Sequence, residues 1–186
     1  MRDKENKDKG LSIEIKLGDK VNAQLDGSIL TLKGPKGEVK RNFPDKNISM
    51  EHKEKSIILK ASKFNKVNKK LINSYAAHIK NLMKGASEGF EYTLKICSGH
   101  FPMNVSVSNN KLIVKNFLGE KVPRTLKLKD GAMVKVEGDN IVVESLSKEI
   151  AGQVSADIEI LTRRTGYDGR IFQDGIYITN KGEKEN

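Results

Sequence analysis

Leu30-Thr31-Leu32-Lys33-Gly34-Pro35-Lys36-Gly37-Glu38 reads as an apolar strand ending in lysine, then a turn, then Gly-Glu leading into a second strand. About 82 residues later the same order returns as Leu112-Ile113-Val114-Lys115-Asn116-Phe117-Leu118-Gly119-Glu120. Further along, Ser56-Ile57-Ile58-Leu59-Lys60 matches Asn140-Ile141-Val142-Val143-Glu144, and a helical stretch follows each copy. Agreement in the order of elements, beyond local similarity, is the mark of an internal duplication.

Working outward, Leu11, Ile13, Ile15 and Leu17 alternate with polar residues, as do Phe90, Tyr92, Leu94 and Ile96. That period of two is the pattern of a half-buried strand. Between them, Val67, Leu71, Ile72, Tyr75, Ala76, Ile79, Leu82 and Met83 recur at three- and four-residue spacing, an apolar stripe on a helix. Lys66, Lys69, Lys70, Lys80 and Lys84 flank it; Asn65 can cap its start, and Gly85 can end it in the left-handed conformation. A second helix is expected from Ser147, as N-cap, to about Arg164, with Ile150, Ala151, Val154, Ile158 and Leu161 facing inward. The fold class is therefore α+β, two tandem duplicated modules, each a mostly antiparallel β-sheet with one packed α-helix. The expected divisions are a charged N-terminal tail (1–9), a first module (10–88), a second module (89–178) and a charged C-terminal tail (179–186). Gly85-Ala86-Ser87-Glu88-Gly89 is the expected hinge.

The 186 residues carry 34 Lys+Arg against 24 Asp+Glu, a net charge of +10 that favours a polyanionic partner. The excess is uneven: residues 1–88 hold 20 basic and 11 acidic groups, residues 89–186 hold 14 and 13. No apolar run approaches the roughly 20 residues of a membrane span, and the charged N-terminus lacks an apolar signal core. A single cysteine, Cys97, excludes an internal disulfide framework and suits a reducing, intracellular setting. No membrane partner is expected.

Catalytic chemistry finds no foothold in the pattern. His52, His78 and His100 stand far apart, without partners at metal-ligand spacing, and His78 reads as a residue at the core edge or surface. Cys97 lies in an alternating strand and reads as a buried, inert thiol. No phosphate-loop, dinucleotide or nucleophile-elbow motif occurs. Neither enzyme activity, a cofactor, a metal nor a small-molecule substrate is expected.

Binding remains. Lys33 and Lys36 flank a glycine turn whose N–H groups can approach an anion, although a plain turn with solvated lysines fits the spacing equally. Arg163 and Arg164 fall at the expected helix C-terminus, where cations are favoured by the dipole. Arg170 follows the glycine-bounded stretch Gly166-Tyr167-Asp168-Gly169 and has no such structural reason; with Arg163 and Arg164 it can form a phosphate-reading cluster. Asp174-Gly175 reads as a turn feeding Ile176-Tyr177-Ile178, with glycine at positive φ. Only 5% of residues are aromatic, too few for a base-stacking platform.

Four segments carry a resemblance to a known family. They are Lys33–Gly37; Gly85–Tyr92 running on to His100-Phe101-Pro102-Met103; Asn116–Arg124; and Arg170-Ile171-Phe172-Gln173-Asp174-Gly175-Ile176-Tyr177-Ile178. In this order they resemble the L-six family of the large ribosomal subunit, in its archaeal and eukaryotic branch. The resemblance implies a cytoplasmic structural protein that binds large-subunit ribosomal RNA near the stalk base and sarcin-ricin region. There it would support the translation-factor docking site beside neighbouring ribosomal proteins. It also implies that the second module makes much of the RNA contact. The expected RNA-binding residues are Lys33, Lys36, Lys121, Arg124, Arg163, Arg164, Arg170 and Lys181. The alternative is a basic adaptor that binds an acidic protein partner.

Overall fold

A computed structural model of the chain describes residues 11–18, 21–45, 47–53 and 55–182. The expected N-terminal tail, 1–9, lies outside them. The chain divides into two units at Glu88/Gly89. The first contains β1 (Ser12–Lys16), β2 (Asn22–Asp26), β3 (Ile29–Gly34), β4 (Gly37–Asn42), β5 (Ile48–Lys53), β6 (Ser56–Ala61) and α1 (Lys66–Ser87). The second contains β7 (Phe90–Cys97), β8 (Asn104–Ser108), β9 (Lys111–Lys115), β10 (Arg124–Lys127), β11 (Ala132–Glu137), β12 (Asn140–Ser145), α2 (Lys148–Leu161) and β13 (Gly175–Lys181).

Each unit has two sheets where the sequence predicts one. The first unit has the strand orders β2-β3-β4 and β1-β6-β5; the second has β8-β9-β10 and β11-β12-β7-β13. All pairings are antiparallel. Adding six to every strand number of the first unit reproduces the second, with β13 added beside β7. Two unrelated domains would not share that correspondence, so the strand orders carry the duplication.

Apolar burial explains why these segments form these elements. In the first unit Leu30, Leu32, Ile57, Leu59, Ile72 and Ile79 are wholly buried, each contributing about 1.5–3 kcal/mol. Phe43 meets Tyr75 of α1 edge-on at 4.7 Å. The second core gathers Leu94, Leu112, Phe117, Ile141, Val143 and Ile176 against Ala151, Val154 and Ile158 of α2. Both helices are capped as the sequence predicts: Asn65 accepts from the Asn68 N–H at 2.6 Å and Ser147 from the Ile150 N–H at 3.5 Å.

The ends of the elements depart from the sequence pattern. Gly85 is buried inside α1, which continues through Ser87, so most of the expected hinge is helical; Gly89, at φ +80°, takes the left-handed conformation. Val67 is exposed and Asn68 occupies the inward position, where its amide donates to the Lys63 carbonyl at 2.8 Å. α2 stops at Leu161, short of Arg164. β13 extends to Lys181, so 179–181 lie in the sheet rather than in the expected tail, whose residues 183–186 fall outside those described. Cys97 is half-buried rather than buried, because it sits at the end of β7 opposite Gly175.

The repeated Gly-Glu motif also diverges. Gly34 pairs with Gly37 across a tight hairpin. In the second copy, a 3-10 turn at Phe117–Gly119 intervenes, and the next strand begins only at Arg124. Asn116, Leu118 and Gly119 all take positive φ there, so a longer, irregular loop stands in place of a two-residue turn.

Candidate nucleic-acid interface

The Lys33–Gly37 hairpin is shaped by α1. The Lys36 N–H donates to the Ala86 carbonyl at 3.1 Å and is not free to cradle an anion. A Cβ on Gly34 would run into that same Ala86 carbonyl, so this glycine permits a close approach of helix end and hairpin. The Lys33 ammonium lies 3.4 Å from Glu38, which also binds Lys40 at 2.9 Å. Hydrogen bonding from Lys40 is the main cause holding the Glu38 carboxyl below its ordinary range. The plain-turn reading thus accounts for the backbone here, while both lysine side chains remain exposed.

At the C-terminal end of α2, Glu120 organises two of the expected RNA-binding arginines. It accepts from Arg124 Nε at 2.8 Å and Nη2 at 2.7 Å, and from Arg164 Nη2 at 2.6 Å. The Arg124 hydrogen bond is the leading cause that keeps the Glu120 carboxyl below its usual range, against the opposing effect of burial. Both guanidinium groups lie over the Phe117 ring, at 4.4 and 5.2 Å from its centroid. Arg124 Nη1 also donates to the Leu161 carbonyl at 2.7 Å. The last carbonyl of α2 is therefore satisfied by the side chain of Arg124, from the start of β10, and not by the side chains of Arg163 or Arg164 that follow it in sequence.

Arg163 is exposed, with its backbone N–H closing on the Ile160 carbonyl at 3.0 Å. Arg170 is almost fully exposed and holds Asp168 in a two-pronged contact, Nε at 3.1 Å and Nη2 at 2.8 Å. That contact is the first cause of both a lowered Asp168 and a raised Arg170 pKa. Arg163, Arg164 and Tyr167 line a cleft of about 330 Å³ with Phe172 and Asp174; Arg170 does not line it. The expected three-arginine cluster is thus divided: Arg164 is tied to Glu120, Arg170 to Asp168, and Arg163 faces the cleft. Lys121 and Lys181 are exposed, the first on the loop after Glu120 and the second at the end of β13.

Sequence reasoning assigns no role to the Asp174–His100 contact. The buried Asp174 carboxylate accepts from the Gly99 N–H at 2.7 Å, the His100 N–H at 2.9 Å and His100 Nδ1 at 2.5 Å. Burial works to raise its pKa, but the His100 backbone, the His100 ring and the Gly99 N–H together bring it below the ordinary value. The ring of His100 stacks on Phe172 at 4.9 Å. This contact fastens the loop before β8 to the loop before β13. Gly175, next in sequence, does not take positive φ; it opens β13, where a Cβ would lie 3.1 Å from the Tyr177 hydroxyl. The two loops lie 74 residues apart in sequence, and no short-range signal joins them.

Two copies of one α+β fold, with exposed cations on loops held by the half-buried Glu120 and the buried Asp174, suit a structural scaffold protein. The family model for ribosomal protein L6 matches residues 17–89 and 101–175, one stretch in each unit. The chain is 42% identical over 173 residues to the large ribosomal subunit protein uL6 of Methanosarcina mazei, covering 93% of this chain and 98% of that one. It is 44% identical to the uL6 protein of Methanococcus vannielii, over 92% of this chain and 94% of that one. For Picrophilus torridus uL6 the identity is 43%, over 91% and 94%. The chain belongs to the ribosomal protein L6 family. As such it is a structural, non-enzymatic protein of the large ribosomal subunit, cytoplasmic with that subunit.

Proposed function

We propose that this protein binds large-subunit ribosomal RNA near the stalk base and sarcin-ricin region, beside neighbouring ribosomal proteins, and supports the translation-factor docking site there. The observation that carries the reading is the division of labour in the second unit. The half-buried Glu120 and the buried Asp174 fasten the loops, while Lys121, Arg163 and Arg170 stand exposed on them. Lys181, Lys33 and Lys36 extend the exposed cations, and Arg124 and Arg164, both half-buried, hold the surface in shape. A-form RNA hides its base edges in a deep groove, so phosphates, 2′-hydroxyls and shape carry recognition. Fixed loops with solvent-facing cations suit that task, because the loop backbone needs no further ordering on binding.

The test is a filter-binding titration of the full chain on stalk-base ribosomal RNA across salt. Affinity is expected to fall by a factor of tens or more between about 50 and 200 mM salt, as counterions are released. A flat response overturns the RNA reading. Nuclease-resistant association with an acidic protein would replace it with an adaptor role.

A further inference from the structure

We propose that the solvent face of α1 is a second RNA-backbone track, separate from the loop cations above; the inference rests on the RNA-binding reading and extends it to the first unit. α1 carries Lys66, Lys69, Lys70, Lys80 and Lys84 and no aspartate or glutamate in its 22 residues. At 3.6 residues per turn, these five lysines fall within about 100° of arc, on the side opposite Ile72, Tyr75, Ile79 and Leu82. With a rise of 1.5 Å per residue, Lys66 and Lys84 stand about 27 Å apart along the axis. Between them the stripe is completed by Asn73 and Ala77, both exposed and neither obstructive.

Folding gives a reason for Lys84 alone, which sits in the last turn at the negative end of the dipole, and none for the other four. Lys66, Lys69 and Lys70 crowd the positive end of the helix dipole, where cations are disfavoured. Lys66 with Lys70, and Lys80 with Lys84, are like-charged pairs at i,i+4, which also oppose helix formation. An ordinary solvated face interleaves both signs and gains from opposite-charge pairs. Among the described residues, no carboxylate pairs with any of these five lysines.

The duplication supplies an internal comparison. α2 occupies the same place in the strand order, yet carries one lysine, Lys148, against Glu149, Asp157 and Glu159. The shared fold therefore does not require a cationic helix. The two helices share a buried apolar face and differ in the charge of the rest. A carboxylate-free stripe of ammoniums along one helix is complementary to a line of phosphates. Lysine, a point charge on a flexible stem, neutralises such a line without demanding one geometry.

The experiment measures the salt slope of RNA binding for three full-length proteins: the unaltered chain, K69Q/K70Q/K80Q, and a control with exposed lysines removed elsewhere, K16Q/K53Q/K95Q. The stripe variant is expected to keep its melting temperature or gain slightly, since like-charge repulsion is relieved. Its slope should fall by about 2, at roughly 0.7–0.9 for each phosphate no longer neutralised. The control should fall by less than half as much. An unaltered chain with a flat salt response defeats the RNA-binding reading itself. A steep unaltered chain with an unchanged stripe variant, or with equal losses in stripe and control, defeats this inference alone. If the stripe variant keeps its RNA slope but loses an acidic protein partner, the face belongs to that partner and the inference is likewise overturned.

Discussion

Asp174 illustrates how a single buried carboxylate can hold together two loops distant in sequence. Its pKa lies below the ordinary value of 3.8, so its contribution to stability is present above that value and disappears as pH falls through the lowered one. Replacing it with asparagine removes the charge: the amide oxygen still accepts from the Gly99 and His100 N–H groups, while the amide N–H falls against the His100 ring nitrogen in place of a carboxylate oxygen. A loss of about 1–3 kcal/mol is expected, seen as a lower melting temperature at neutral pH and a shallower acid-induced decline than in the unaltered chain. An equal decline in both would show that other carboxylates govern acid stability. Gly34→Ala tests a different residue-scale constraint. The added methyl meets the Ala86 carbonyl, so about 1–3 kcal/mol should be lost by overpacking, even though Gly34 lies in a strand. Arg170→Gln should leave thermal stability nearly unchanged, because the Asp168 contact is exposed and worth little. It should lower the RNA salt slope by about 1. An unfolded variant, or one with an unaltered slope, would remove Arg170 from the surface.

The elements are legible in the sequence where their information is local. Asn65 and Ser147 announce both helix starts, and the alternating apolar residues announce β1 and β7. Their endings are less legible because tertiary contacts decide them. Gly85 stays helical as α1 runs on to the Ala86 carbonyl that receives the Lys36 N–H, and α2 ends where Arg124 reaches the Leu161 carbonyl. Long-range pairing also explains why Arg124 and Arg164 read from sequence as free cations: Glu120 is four residues from one but 44 from the other. Glu120→Gln therefore tests an element-scale unit. It weakens the anchor of two half-buried arginines and of the helix end together. A loss of about 1–3 kcal/mol is expected, or roughly 4–8 °C in melting temperature per kcal/mol for a domain of this size. RNA affinity should fall as well, despite a net gain of one positive charge. Tighter binding with unchanged stability would mean that Glu120 merely repels RNA.

Across the whole molecule, net charge and charge placement give different answers, and the duplication makes the difference measurable. Residues 1–88 hold nearly the entire excess, +9 against +1 for residues 89–186, yet the loops held by the buried Asp174 and the half-buried Glu120 lie in the second unit. Net charge governs non-specific attraction to any polyanion, whereas fixed contacts on a shaped surface govern which RNA is preferred. Each unit has its own apolar core and both sheets of its own, so fragments 1–88 and 89–186 are each expected to retain sheet-and-helix circular dichroism and a cooperative melt. Units this small bury limited surface, and lower melting temperatures than the full chain are expected. On RNA the fragments should separate. Fragment 89–186 should prefer stalk-base ribosomal RNA over an unrelated duplex of equal length, with a modest salt slope. Fragment 1–88 should bind both RNAs nearly alike, with a slope steeper than its partner fragment. Competition titrations at matched salt distinguish these behaviours. If discrimination travels with 1–88, the cations of α1 and its hairpin read the RNA, and the fastened loops of the second unit serve stability alone.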